Sequence, residues 1–320
     1  MTLHFQELPA PVTVDGAERH IGVEVEFADL NEEQAAHILS ETLGGTAERV
    51  KDNDWKVTGS SLGDIQVYLD TVYRTADKSV LRDLGLKLGR EVIPVELVTD
   101  PLSLGQLGEL NRALGALKEA GAKGSGDGWY YGFGVHLNVE IVEETPASVL
   151  KPLLAYALIE DWMREARPIE ATRTVLPWTD AYPTALVEEL ILLGTEPSDR
   201  ALVETYTRHC PDRNRGLDML PIFKALWPDI LVDSIGADKV DGISGRPTYH
   251  FRLPDSRIDE DAWSLETEWN RWLLVEQVAA KDDLLTELSD AWLEKHGAIT
   301  LSRQPWAERS GDILSKHGLA

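Results

Sequence analysis

Ile21-Gly22-Val23-Glu24-Val25-Glu26-Phe27 alternates apolar and acidic residues with a period of two. Successive side chains of a strand point to opposite faces, so Glu24 and Glu26 share one face while Val23, Val25 and Phe27 take the other. Two residues of strand rise about 6.5–7 Å, and carboxylates that close repel each other unless they are solvated or hold a cation. Oxygen ligands spread over such a surface suit Mg2+ or Mn2+. A half-exposed strand with ordinary polar residues outward is the plainer alternative.

The same arithmetic recurs along the chain. In Val135-His136-Leu137-Asn138-Val139-Glu140-Ile141, the side chains of His136, Asn138 and Glu140 share a face. His250 and Arg252 do so in Thr248-Tyr249-His250-Phe251-Arg252-Leu253, and Glu96 is the polar member of Val92-Ile93-Pro94-Val95-Glu96-Leu97-Val98. If these stretches pair in one antiparallel sheet, helices cover its apolar side. The other side becomes a concave floor of carboxylates, imidazoles and a guanidinium. Such a floor can hold divalent cations, the cations can neutralise triphosphate oxygens, and the arginine can stabilise a transferring phosphoryl group.

The alternation predicts strands over 21–28, 64–72, 91–98, 133–142 and 248–253. Helical periodicity predicts helices over 31–43, 77–89, 105–121, 146–166, 184–194, 198–208 and 259–296, the last as one helix or two. Strands dominate the first half and helices the second, which is α+β and not a βαβ alternation. Neither a Gly-x-Gly-x-x-Gly after a strand nor a P-loop is present, and the glycine-rich 121–134 reads as a loop before a strand. The 320 residues carry 31 Lys plus Arg against 55 Asp plus Glu, a formal net charge of −24, with 43% hydrophobic residues and a single cysteine. A charge of that sign repels a phosphate backbone, so no nucleic-acid partner is expected. One cysteine excludes a disulfide framework and any multi-cysteine metal site. With no leader-like start and no apolar run of about 20 residues, no membrane partner is expected, and the expected location is cytoplasmic.

Five segments, in order, resemble a known family. Arg19-His20-Ile21-Gly22-Val23-Glu24-Val25-Glu26-Phe27 is similar to the Gly-x-Glu-x-Glu opening strand of the amidoligase family, carboxylate–amine ligases of the glutamine synthetase fold. Asp54-Trp55-Lys56-Val57-Thr58-Gly59-Ser60-Ser61-Leu62 and Val95-Glu96-Leu97-Val98-Thr99-Asp100-Pro101-Leu102 resemble its next two segments. Gly132-Phe133-Gly134-Val135-His136-Leu137-Asn138-Val139 resembles its histidine strand and Pro247-Thr248-Tyr249-His250-Phe251-Arg252-Leu253 its late Glu-Phe-Arg strand.

The resemblance implies a glutamine synthetase-like catalytic domain over residues 1–258, with a helical insertion at about 145–230, and a helical region over 259–320 packing on it. It also implies ATP-dependent joining of a small-molecule or peptide carboxylate to an amine through an acyl phosphate. Glu24, Glu26, Glu96 and His136 would be metal ligands, with His250 where the family usually has Glu. Arg252 would meet phosphate, and Asn138 would help place nucleotide or metal. The exchange of Glu for His250 leaves two readings, a shift from Mg2+ toward Mn2+, which accepts imidazole more readily, or a non-catalytic copy. Thr58-Gly59-Ser60-Ser61 likewise departs from the usual Asp-Gly-Ser.

For the general base, the strand Asp64-Ile65-Gln66-Val67-Tyr68-Leu69-Asp70 offers Asp64 and Asp70 by geometry alone. Arg208, Arg213 and Arg215 crowd eight residues of an acidic chain, and form either an anion clamp or a loop paired with neighbouring acids. Cys210 reads as a structural thiol and the ten tryptophans as core. Two rivals to a ligase remain: a phosphotransferase acting on a guanidino-type acceptor, and an ATP- or metal-binding module without turnover. The oligomeric state stays open.

Overall fold

The computed structural model describes residues 4–51, 53–69, 93–125, 132–169, 180–295 and 302–319. Asp70, the helix expected at 77–89, and Gly126 and Gly128 of the glycine-rich loop lie outside them. Among the described residues the fold is mixed α+β, an eight-stranded sheet with eleven α-helices. The strands are β1 (Ile21–Phe27), β2 (Thr46–Lys51), β3 (Asp54–Ser60), β4 (Gly63–Leu69), β5 (Val95–Thr99), β6 (Val135–Glu140), β7 (Leu217–Asp218) and β8 (Thr248–Phe251). Their order is β2-β3-β4-β5-β1-β6-β8-β7, and every neighbouring pair is antiparallel.

Helix starts follow local chemistry. At α1 (Glu32–Leu43), Asn31 accepts from the Gln34 amide while the Gln34 side chain accepts from Asn31 N–H, so two otherwise orphaned donors are satisfied. Thr145 with Pro146 opens α3 (Pro146–Ala166), after α2 (Leu107–Glu119). α4 (Thr184–Leu192), α5 (Asp199–His209), α6 (Leu220–Leu226), α7 (Pro228–Ile235) and α8 (Ala237–Asp241) fill the stretch between β6 and β8. The long helix expected at 259–296 is two, α9 (Leu265–Ala279) and α10 (Asp282–Lys295), and α11 (Gln304–Lys316) follows.

Three strands escape the alternation rule. One of them, β3, buries only Val57 and so shows no clean apolar face. β2 is an edge strand whose residues are nearly all exposed, so it has no apolar face to betray it. β7 is two residues long, too short for any period. The β2–β3 hairpin also requires Gly45, whose φ is +86° and whose added Cβ would lie 2.5 Å from Thr58 O.

Val23, Val25, Phe27, Val135, Leu137, Val139, Tyr249 and Phe251 form one buried sheet face. α9 closes it, with Trp272 tilted against the Tyr249 and Phe251 rings at 5.1 and 5.6 Å. Trp269, Trp272, Trp292 and Trp306 are fully buried, in keeping with core packing. A single apolar cluster runs from Leu8 to Leu314, so α9, α10 and α11 share the core of the sheet.

The strand that opens the sheet is tied to α9 by a buried ion pair. Arg19 donates to both oxygens of Glu276 at 2.8 and 2.7 Å, and also to Glu140 O and Ala10 O. Removing one member leaves the other charge buried and uncompensated, which costs about 3–5 kcal/mol. Arg19→Met should therefore lower the unfolding free energy by about 3–5 kcal/mol in urea titrations, and adding Glu276→Leu should restore much of it. A loss under about 1 kcal/mol in the single variant would remove this pair from the fold's essential contacts.

Candidate active site

Register decides which side chains meet. Glu24 on β1 lies opposite His136 on β6, Gly22 opposite Asn138, Asn138 opposite His250 on β8, and His250 opposite Asp218 on β7. Side chains directly opposite each other on one face have Cβ atoms about 5 Å apart, so four strands deliver these groups to one patch.

Glu24 is its hub. Its Oε2 accepts from His136 Nδ1 at 2.8 Å, and its Oε1 accepts from Asn138 Nδ2 at 2.9 Å and Arg246 Nη1 at 3.2 Å. His250 stands edge-on to His136, with ring centres 5.2 Å apart. Its Nδ1 is 3.4 Å from Asp218 Oδ2 and 3.0 Å from Arg213 Nη2, while its Nε2 is buried without a hydrogen-bond partner. A carboxylate oxygen of Glu24 and one nitrogen from each of His136 and His250 lie within 4.8 Å of one another.

Burial and charge set the protonation. Burial opposes ionisation of Glu24, but the His136 hydrogen bond, the attraction that His136 and His250 exert when protonated, and the Arg246 charge outweigh it, and the carboxyl sits well below its usual range. Burial pushes His136 down to about 3 against the pull of Glu24, and lowers His250 against the pull of Asp218. The pattern is an ionised carboxylate beside two neutral imidazoles, each with a nitrogen lone pair to offer. Neutral imidazole is the metal-binding form, so the donor chemistry fits a divalent ion. Two nitrogens and one oxygen favour Mn2+ and its first-row neighbours over Mg2+, which prefers oxygen alone.

The remaining residues singled out in the sequence fall in several places. Glu26 and Glu96 are cross-strand partners on the same face, both buried, but outside the Glu24–His136–His250 cluster; Glu26 Oε2 accepts from Gly134 N–H at 2.7 Å. Arg252 follows β8 beside the cluster, near enough for its charge to lower His136, and donates to Arg213 O. Asp64 lies on β4 and is ion-paired with Lys56 at 2.7 Å; that hydrogen bond holds its carboxyl below the usual range. A base with so little proton affinity is a poor fit to the role suggested for it.

The arginine trio does not form one clamp. Arg213 reaches Asp218 and His250, Arg208 pairs with Glu189, and Arg215 donates to Ala181 O. Burial pushes the Cys210 thiol up to about 12, the opposite of an activated nucleophile. Two residues of the patch were missed by pattern reading. Asp218 sits on the two-residue strand, and Arg246 stands between Gly245 and Pro247 in the loop before β8. An arginine held between two turn-forming residues beside a polar strand was the only available signal.

The fold and patch define an α+β protein whose antiparallel sheet carries a buried carboxylate–imidazole cluster. The family described as "Putative amidoligase enzyme" matches residues 17–274, from just before β1 into α9, and the chain belongs to that family. Membership points to amide-bond ligase activity. Neither the curated proteins nor the solved structures compared with the chain contain a match. Among the described residues no helix is long and apolar enough to cross a membrane.

Asp218 supplies a pH test of this geometry. Burial alone would raise its carboxyl, but the His250 hydrogen bond and the Arg213 charge bring it down to about 2. A depressed carboxylate stabilises the fold above its unfolded pKa of about 3.9, and that contribution is lost as pH falls toward the folded value. Asp218→Asn should cost on the order of 2 kcal/mol at neutral pH, with the gap to the natural chain closing between about pH 4 and pH 2. Urea unfolding at stepped pH measures this, and a gap independent of pH would show that the carboxylate is not held by these partners.

Proposed function

We propose that the chain is an ATP- and divalent-metal-dependent carboxylate–amine ligase on a glutamine synthetase-like catalytic fold, forming an amide by way of an acyl phosphate. The observation that carries the reading is the cluster of Glu24, His136 and His250, with a buried, unpartnered His250 Nε2 on the polar face of the sheet. These three residues would hold the ion. Bound there, it would neutralise triphosphate oxygens and so ease phosphoryl transfer to a substrate carboxylate.

The chain's own groups prepare that chemistry. Asn138 and Arg246 fix the Glu24 carboxylate from one side while His136 fixes it from the other. Asp218 Oδ2 lies 3.4 Å from His250 Nδ1, and Arg213 Nη2, which can only donate, lies 3.0 Å from the same nitrogen. If Asp218 accepts from Nδ1 in place of the Arg213 contact, the tautomer with a free Nε2 lone pair faces the ion, the usual carboxylate–histidine support of a metal ligand. Arg213 and Arg252 bring positive charge to the β7–β8 flank, where phosphate oxygens would be met. Glu26 and Glu96 offer a carboxylate pair for another ion.

In this reading residues 1–258 form the catalytic part and 259–320 a helical region completing its core. The substrates are a small-molecule or peptide carboxylate and an amine, and the protein works in the cytoplasm. The ion is Mn2+ in preference to Mg2+, because imidazole has replaced a carboxylate at His250.

Titration of Mn2+ by its paramagnetic resonance signal tests the ligand set. Glu24→Gln and His250→Ala should each weaken binding by more than a hundredfold, and Asp218→Asn by about 10–100-fold. Release of phosphate from ATP with Mn2+ and with Mg2+, followed by mass analysis for an amide, tests the reaction. A phosphorylated acceptor without free phosphate would identify a kinase instead. Nucleotide binding with no turnover under either metal would identify a binding module.

A further inference from the structure

A cavity of about 460 Å³ opens on the polar face of the sheet beside the cluster, between the end of β5, the start of β1 and the end of β6. Its size is that of a small-molecule site. Its floor is low because β1 contributes Gly22 there; a Cβ at that position would stand 3.3 Å from Asn138 Cβ. Asn138 and Arg246 belong both to this cavity and to the hydrogen-bonded shell of Glu24, at 2.9 and 3.2 Å, so the cavity leads into the cluster.

The wall charges differ from those on the other flank of the cluster. Asp100 and Glu140 stand on opposite rims, Asp100 just after β5 and Glu140 at the end of β6, the strands either side of β1, and the one lining arginine, Arg246, already faces Glu24. Backbone groups orient both acids: Asp64 N–H donates to Asp100 Oδ2 at 3.0 Å and His20 N–H to Glu140 Oε2 at 2.9 Å. Arg213 lies across the cluster, against His250 and Asp218. A triphosphate is repelled from the acid-rimmed side, and a cation is drawn there.

We propose that this cavity receives the amine substrate, a primary amine carrying a second positive charge, with Asp100 and Glu140 as its specificity-determining residues. Continuing the register, Asp100 stands level with Gly22 and Glu140 level with His20. The rims therefore lie two strand spacings apart and two residues out of step, about 12 Å between backbones, a gap that a short α,ω-diamine reaching a carboxylate at each end can bridge. The net charge of −24 favours the same class of ligand at long range. The inference rests on the ligase reading for the word substrate, but the binding site stands on the cavity alone.

Calorimetric titration of the full chain with 1,4-diaminobutane, 1,4-butanediol and succinate tests it. Only the diamine should bind saturably. Asp100→Asn and Glu140→Gln should each weaken it at least fivefold, Gly22→Leu should abolish it, and Asp238→Asn, an exposed acid on α8 remote from the cavity, should leave it within twofold. A fluorescent ATP analogue with Mn2+ is titrated in parallel and should bind Asp100→Asn and Glu140→Gln as it binds the natural chain. Absence of diamine binding, equal binding by all variants, or competition between diamine and nucleotide analogue would overturn the proposal. Diamine binding that follows the variants in a chain indifferent to nucleotide and metal would sustain the amine cavity and defeat the ligase reading.

Discussion

The antiparallel register of β1, β6 and β8 is the constraint on which the rest depends. Side chains alternate with a period of two, so a slip of one residue in any of the three strands would carry its polar groups into the core and its valines and aromatics onto the open face. Burial of Val23, Val25, Leu137, Val139, Tyr249 and Phe251 against α9 makes that slip expensive. The Arg19–Glu276 pair fixes the start of β1 against the same helix. The cluster is thus held in register by the energetics of the opposite face, with Asp218 and its partners adding to stability from within the patch.

That separation allows an electrostatically unusual patch. Glu24 is ionised with little exposure, between imidazoles that burial keeps neutral, and the positive charge nearest it comes from one side, through Arg246. A buried anion beside neutral imidazoles, compensated by a single half-exposed arginine, is a place where a divalent cation would add stabilisation. The sheet also sorts charge along its length, with Arg213 and Arg252 toward β7 and β8 and with Asp100 and Glu140 at the other end. A ligase that brings a polyanion and an amine together needs such a gradient.

Period-two alternation in 21–27, 135–140 and 248–251 made the two-faced strands legible, and with them the polar face that carries Glu24, His136, Asn138 and His250. The helix starts expected at 31 and 146 fall within a residue of α1 and α3, where Asn31 and Thr145 cap by local rules, whereas the start expected at 259 falls at Leu265, after Ser264. Reading failed where the cause was not local. β2 pairs through backbone alone at a sheet edge, and Asp218 is strand only because β8 lies beside it. The arginines of 208–215 look alike as a run, yet the chain turns between them and only Arg213 reaches the cluster.

By itself the sequence determined which side chains share a face within each strand, since that follows from covalent geometry and burial pattern over a few residues. It could not determine which strands are neighbours. Tertiary structure alone inserted β1 between β5 and β6, and so set Glu24 against His136 while leaving Glu26 against Glu96. The physical reason is that strand order is a choice among long-range pairings whose backbone hydrogen bonds are chemically identical, and only the fit of the whole apolar core selects one of them.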